Sequence, residues 1–367
     1  MCRFLPQLRF VSSIAVFALV WASAHPSWAE DYTRATLKVG LEQDSNARRT
    51  VGGEGKQDQL IRAFVKASMQ RGLGVLGVVQ MKLLLGAKSH QSVSDEDALV
   101  TSAGLAWSAG LWRFLEVGQL GLYARGEFGD RSERASLRDY MRGGATAGVR
   151  LSYGPVSLSG GGGWRAFVYK PDFSSNNRGP ALESSLAVAL GAGFSAQLSS
   201  LHMFRSFDAD RFVEANRLIA EDVGVSREDA LHSVQLGGRY DGEFLIDLSY
   251  SLQLNQSNSV GPGLVRHVVS ASWAQPLPMD FIASISGRIQ HTYYDDPVRV
   301  DETLQIDDED KNQLVAGVVL PFMGGFGVEL RYSLYTEALS DQSDFVRHLI
   351  YMGCVVDVDG LDWEGAE

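Results

Sequence analysis

Residues 244–255, FLIDLSYSLQLN, alternate apolar and polar side chains with a period of two, and nothing else in the chain limits its fold so strongly. Phe244, Ile246, Leu248, Tyr250, Leu252 and Leu254 interleave with Asp247, Ser249, Ser251, Gln253 and Asn255. In a β-strand this period sends each set to its own face. The run is also as long as a tilted strand needs to cross a hydrocarbon layer, about 9–11 residues.

Segments of the same texture recur near residues 32–44, 58–69, 75–85, 98–111, 115–128, 136–153, 155–169, 180–191, 194–207, 229–241, 264–275, 280–293, 311–320, 325–336 and 344–356. Together they predict an all-β fold: a transmembrane, antiparallel, up-and-down β-barrel of about 16 strands, with roughly 14–18 compatible with the pattern. Long polar connections (45–57, 87–97, 129–135, 170–179, 208–228, 257–263, 294–310, 337–343) alternate with short ones (70–74, 112–114, 154, 192–193, 242–243, 276–279, 321–324). Short periplasmic turns and long external loops alternate in this way in outer-membrane barrels. Tyr153, Trp164, Tyr240, Phe244, Trp273, Phe281 and Phe326 stand near strand ends, where an aromatic girdle meets the membrane boundary. A soluble antiparallel sheet also alternates, but its strands are usually about 5–6 residues long.

No uncharged apolar run is long enough for a helical span, and a formal net charge of −11 gives no footprint for nucleic acid. Residues 1–29 read as a signal peptide, with Arg3 and Arg9 ahead of an apolar stretch (10–22) and a small-x-small site at Ser27, Trp28 and Ala29. The expected organisation is signal peptide 1–29, barrel 30–357 and periplasmic tail 358–367, exported to the outer membrane of a Gram-negative cell. Expected partners are outer-membrane lipid and the barrel-assembly machinery. Cys2 leaves with the leader, and Cys354 alone forms no internal disulfide.

With the apolar set facing lipid, the other set faces inward. That places Lys38, Arg62, Lys66, Lys82, Arg125, Arg142, Arg150, Arg165, Arg205, Arg239, Arg266, Arg288 and Arg331 on the inner wall, with Glu42, Glu127, Glu183, Asp247 and Glu329 as its acidic members. The basic set outnumbers the acidic, although the chain is acidic overall. The negative charge gathers in loops, most densely at 301–310, DETLQIDDED. The expected function is a passive, anion-leaning channel for small solutes or an acidic polymer. The alternative is a closed barrel, braced by those arginines, that displays loops for adhesion or assembly. In the longest loop Phe212, Ala215, Leu218 and Ile219 have helical spacing, compatible with a short helix that places Phe212, Arg217 and Ile219 at a constriction; the alternative, commoner for such a segment, is a solvated external loop.

Little supports catalysis, and no cofactor or metal is expected. No HExxH spacing occurs, and the adjacent His232 and Ser233 point to opposite faces of a strand. His291 near Asp295 and Asp296 is the sole candidate acid–base group, and the run at 307–310 is a solvated acidic loop rather than an ordered cation site.

Residues 39–48, VGLEQDSNAR, carry one resemblance. Gly40 followed by Asp44, Ser45 and Asn46 resembles the opening of bacterial outer-membrane barrels attached to tetratricopeptide-repeat domains, a group that includes exopolysaccharide-export and surface-lipoprotein-assembly barrels. The resemblance implies a barrel coupled to export. This chain departs from the group in showing no repeat domain between leader and first strand, and in following Val356 with DVDGLDWEGAE instead of a terminal aromatic.

Overall fold

The computed structural model describes residues 31–47, 56–114, 117–135, 139–296, 312–338 and 344–359. The leader and the acidic run at 301–310 lie outside those residues. The strands are β1 (Tyr32–Asp44), β2 (Asp58–Gly72), β3 (Val78–His90), β4 (Ala98–Phe114), β5 (Gly118–Glu133), β6 (Tyr140–Tyr153), β7 (Val156–Tyr169) and β8 (Asn177–Gly191). They continue as β9 (Phe194–Ala215), β10 (Leu218–Asp241), β11 (Leu245–Ser257), β12 (Leu264–Pro276), β13 (Ile282–Tyr294), β14 (Asn312–Pro321), β15 (Phe326–Ala338) and β16 (Asp344–Asp359).

Each strand pairs antiparallel with the next, and β16 closes on β1 from Arg34↔Asp359 to Asp44↔Leu349, so the sixteen form one closed barrel. The predicted strand count and topology are therefore observed. Closure leaves no edge with unpaired backbone groups, and this is what lets a sheet lie in hydrocarbon. The last strand runs through Asp359, which takes Val358 and Asp359 out of the expected tail.

The register fixes which face is which. Lys38 on β1 reaches Glu329 on β15 across the intervening β16, and Arg125 on β5 meets Glu183 on β8. Contacts that skip strands in this way lie on the concave side of the wall. The opposite set includes Leu236, Leu248 and Leu330, which are 57%, 55% and 56% exposed on the protein's own surface. A closed cylinder with an apolar outer face and a polar inner one is a membrane-spanning barrel.

At the short-turn end Tyr240 packs between Phe194 and Phe244 with tilted rings, their centroids 4.6 and 4.9 Å apart. At the same end, on β4, the Trp107 indole donates to the Leu76 carbonyl at 2.8 Å. Amphipathic rings at this height suit the boundary between hydrocarbon and headgroups.

Several local expectations change: the expected connection at 112–114 lies in β4, and β3 and β5 run on into the expected loops at 87–97 and 129–135. Within the expected short connection at 70–74, Arg71 and Gly72 still pair with Val79 and Val78, and the chain reverses over residues 73–77. Gly77 takes φ 96° there, and a Cβ on it would sit 2.0 Å from the Ser108 carbonyl oxygen, so only glycine fits. The larger correction concerns residues 208–228, which form no helix. β9 and β10 run on past their neighbours and join through Asn216 and Arg217 at φ 53° and 66°. Two successive left-handed residues make the turn whose twist matches a hairpin. Helical spacing of Phe212, Ala215 and Ile219 lost to templating: two strands already paired below extend upward, and β-branched Val213, Ile219, Val223 and Val225 favour that extension. Register shifts between Asp222, Ser226 and Glu228 kink the hairpin, and Phe212 then donates its amide to Ser259 Oγ at 2.9 Å.

In the β7–β8 loop, Asp172 accepts from the Ser174 amide at 2.9 Å and the Ser174 hydroxyl at 2.5 Å. These bonds hold its carboxyl below the ordinary range, so the turn they make is retained until acid protonates the group below that range.

The two faces predict opposite responses to one charge. Leu252→Arg, outward near the middle of β11, should destabilise the barrel by roughly 2–4 kcal/mol, while Ser251→Arg, inward beside it, should cost far less. Urea unfolding in lipid vesicles measures both, and equal losses would contradict the sidedness.

Candidate functional site

The inner wall is the only polar face that the described strands enclose, and its charges fall into separate clusters. By register, Lys38, Arg62, Lys66, Lys82, Arg125, Arg142, Arg150, Arg165, Arg205, Arg239, Arg266, Arg288 and Arg331 all lie on it, as do Glu42, Glu127, Glu183, Asp247 and Glu329. The alternation brings them to one face but does not bring them together.

The first cluster spans the closing seam. Lys38 Nζ lies 2.8 Å from Glu329, and Arg62 lies 3.0 Å from Glu42. Arg331 stands between the two carboxylates, 3.8 Å from Glu42 and 3.5 Å from Glu329, with its guanidinium 4.8 Å from the Tyr351 ring centroid. Glu42 is 2% exposed, so its charge depends on those two arginines.

Above the seam, Arg347 forks onto Asp44 at 3.0 and 2.5 Å, both side chains being buried. Asp44 also accepts from the Asn46 amide at 2.9 Å, and Ser45 clasps His348 through two bonds, at 3.0 and 2.8 Å. Gly40 sits where a Cβ would be 2.4 Å from the Met352 carbonyl oxygen. The Gly40, Asp44, Ser45 and Asn46 pattern thus has a physical role here: it fastens the first strand to the last.

Across the barrel, Arg125 pairs with Glu183, which also accepts from Tyr123 at 3.2 Å, and Arg165 lies 3.7 Å from Glu127. Farther round, Arg205 is 3.2 Å from Asp229 and donates to Asn255 at 2.6 Å, while Arg227 reaches Asp229 at 2.9 Å and lies 4.0 Å from the Phe207 ring centroid. Arg239 pairs with Asp241 at 2.8 Å, Arg266 donates to Thr292 at 3.2 Å, and Arg288 donates to Gln290 at 3.0 Å. Lys66, Lys82 and Arg150 differ from these: each is exposed to the interior and is not joined to a carboxylate among the described residues.

Several wall residues escaped the sequence reading. Asp44, Lys88, Tyr123, Arg131, Asp229 and Arg347 share the interior face by register. Lys88 fell in the segment 87–97, read as a loop, and Asp44 stood at the very end of the segment 32–44. Arg347 was hidden because inward Leu349 and Tyr351 break the polar–apolar rhythm of β16. These additions leave the basic excess in place, with three basic side chains to two acidic, but most of the arginines are engaged.

The histidines considered for catalysis lie on the outer face. His202 and His232 meet Nδ1 to Nδ1 at 2.8 Å across β9 and β10, while Ser233 faces the interior. The His291 ring stands edge-on to Tyr293, 4.4 Å between centroids, and Asp296 is engaged by the Gly261 amide at 2.7 Å. The candidate acid–base group is not assembled among the described residues. Phe212, Arg217 and Ile219 belong to the β9–β10 hairpin and its turn.

Fold and wall together define a membrane-spanning, polar-lined β-barrel. No protein-family model and no curated protein matches the chain. Three solved structures resemble its outline. A deltaS2 mutant of the TodX monoaromatic hydrocarbon channel has TM-score 0.41 and 10% identity, covering 91% of this chain and 90% of that one. A bacterial polysaccharide outer membrane secretin has TM-score 0.42 and 12% identity, covering 88% and 98%. Salmonella typhi OmpF in complex with daunomycin has TM-score 0.43 and 10% identity, covering 89% and 97%. Scores this low carry nothing about cargo, and the barrel rests on its own strand pairing.

The buried Asp44–Arg347 fork gives a stability prediction. Arg347→Gln should cost about 3–5 kcal/mol because it strands a buried carboxylate, and adding Asp44→Asn should recover part of that loss. Denaturant titration of the two variants measures both steps.

Proposed function

We propose that this protein is an outer-membrane channel that passes small solutes or an acidic polymer and favours anions. The supporting observation is how short a distance the interior contacts reach. The Lys38–Glu329 pair at the seam skips one strand, the Arg205–Asn255 bond skips one, and the Arg125–Glu183 pair skips two. These contacts brace neighbouring stretches of wall without bridging the middle, and a barrel of this strand number is wide enough to hold an aqueous passage. Lys66, Lys82 and Arg150 then supply unneutralised positive charge along it, which lowers the cost of a passing anion and raises that of a cation. Selectivity in this reading comes from the field of the wall and involves no chemical step. Outer-membrane lipid surrounds the barrel, and the barrel-assembly machinery inserts it.

A second reading, loop display for adhesion or assembly, is favoured by one feature, the raised hairpin of the 22-residue β9 and 24-residue β10. The two readings separate in planar bilayers. The channel reading expects steady conductance with a zero-current potential of anion-selective sign in a potassium chloride gradient. Lys66→Gln with Lys82→Gln should shift that potential toward cations. Absent conductance, or cation preference in the unaltered protein, sinks the channel. Deleting 210–224 should leave conductance unchanged, since the hairpin is tied by Phe212 to the neighbouring Ser259 loop; a larger current would show that it narrows the mouth.

A further inference from the structure

One row of the interior wall differs from the charged clusters. The register places Arg150, Ser159, Ser185, Ser199, Gln235 and Ser251 directly beside one another round six consecutive strands, β6 to β11. Ser159 and Ser185 are joined Oγ to Oγ at 2.7 Å. Hydroxyls and carboxamides both donate and accept, so a row of them offers alternating partners to a chain of hydroxyl groups. A water-filled wall needs only polarity, and charged side chains supply that elsewhere in this barrel. Here five neutral residues of dual capacity form a continuous band, and a cation stands at its end.

That cation is Arg150. Its guanidinium lies 5.9 Å from the Tyr123 ring centroid, and no carboxylate holds it among the described residues. Beside it Arg125 and Arg165 face the same recess, where Glu183 is the one acid, so the recess is positive in balance. The recess has a volume of about 600 Å³ and contains Gln197, Ser233 and Gln80 besides most of the row. Cavities of this size hold small organic ligands rather than a bare ion.

We propose that this recess is a binding subsite for a negatively charged sugar, with Arg150 clamping its acid group and the serine–glutamine row receiving its hydroxyls. The proposal rests on the wall being reached by solute, as in the channel reading above, and it adds the solute's class. A guanidinium binds a carboxylate through two parallel, charge-assisted hydrogen bonds, whereas hydroxyl contacts are individually weak and act by number. The acid group therefore sets affinity, and the row sets preference for a polyol over a plain carboxylate. Both a free sugar acid and a polyuronate carry this chemistry.

The test is titration calorimetry of the full-length barrel in detergent micelles with D-glucuronate, D-glucose, acetate and a short oligogalacturonate. Glucuronate should saturate one site and bind at least about tenfold more tightly than glucose or acetate, the worth of one charge-assisted bond. Arg150→Gln should reduce glucuronate to the level of glucose, and Ser185→Ala with Gln235→Ala should weaken glucuronate and glucose together. His291→Gln, on the outer face, serves as the unaltered control. Tighter binding of the oligogalacturonate identifies a polymer as the occupant, and equal binding identifies the monomer. Acetate binding as well as glucuronate, or no saturable binding at all, overturns the proposal. Conductance without binding sinks the subsite alone, and binding without conductance sinks the channel alone.

Discussion

Backbone hydrogen bonds with nowhere else to go organise this protein. In hydrocarbon an unpaired amide or carbonyl costs several kcal/mol, so every strand needs two neighbours and the sheet has to close. Closure in turn creates an inside and an outside, and the period of two along each strand then sorts the side chains. The apolar exterior, the polar wall, the short turns at one end and the long connections at the other all follow. Even the extended β9–β10 hairpin obeys it, because strands already paired at the membrane continue most easily as strands above it.

The interior is a mixed electrostatic device. At the seam, Lys38, Arg62 and Arg331 share Glu42 and Glu329 within a small region, three cations to two carboxylates. Such pairs hold geometry and weaken the field, since each carboxylate is answered nearby. The field comes from what is left over: Lys66, Lys82, Arg150 and the recess where three arginines face one glutamate. The wall thus separates bracing from selecting, and a charged residue's contribution depends on its neighbour more than on its own sign.

How much of this could be read in advance depended on the range of the physics. Sidedness is local, so residues such as Leu248 and Ser249 reveal their faces within a few positions, and the assignments of Arg125 or Arg331 follow from parity. The helix expected around Phe212 and Ile219 failed because its spacing was judged in isolation, while the deciding partner strand lay a turn away. Charge pairing was illegible for a different reason. Arg125 and Glu183 stand 58 positions apart, and only the shear and circumference of the closed barrel bring them into contact. Counting basic against acidic side chains by parity therefore overstated the free charge, and it gave Arg150 no distinction from arginines that turn out to be engaged.

The seam between the first and last strands has a consequence for how this molecule comes into being. The Arg347 fork grips Asp44 across 303 positions of sequence and Thr36 bonds Asp357 across 321, so the seam closes the longest loop among the described residues. Such a contact is entropically the most expensive to nucleate, and it forms last. Until then the sheet has two raw edges that hydrocarbon does not tolerate. Birth of the cylinder and its passage into lipid are therefore one event, and every intermediate needs a chaperoning surface along those edges.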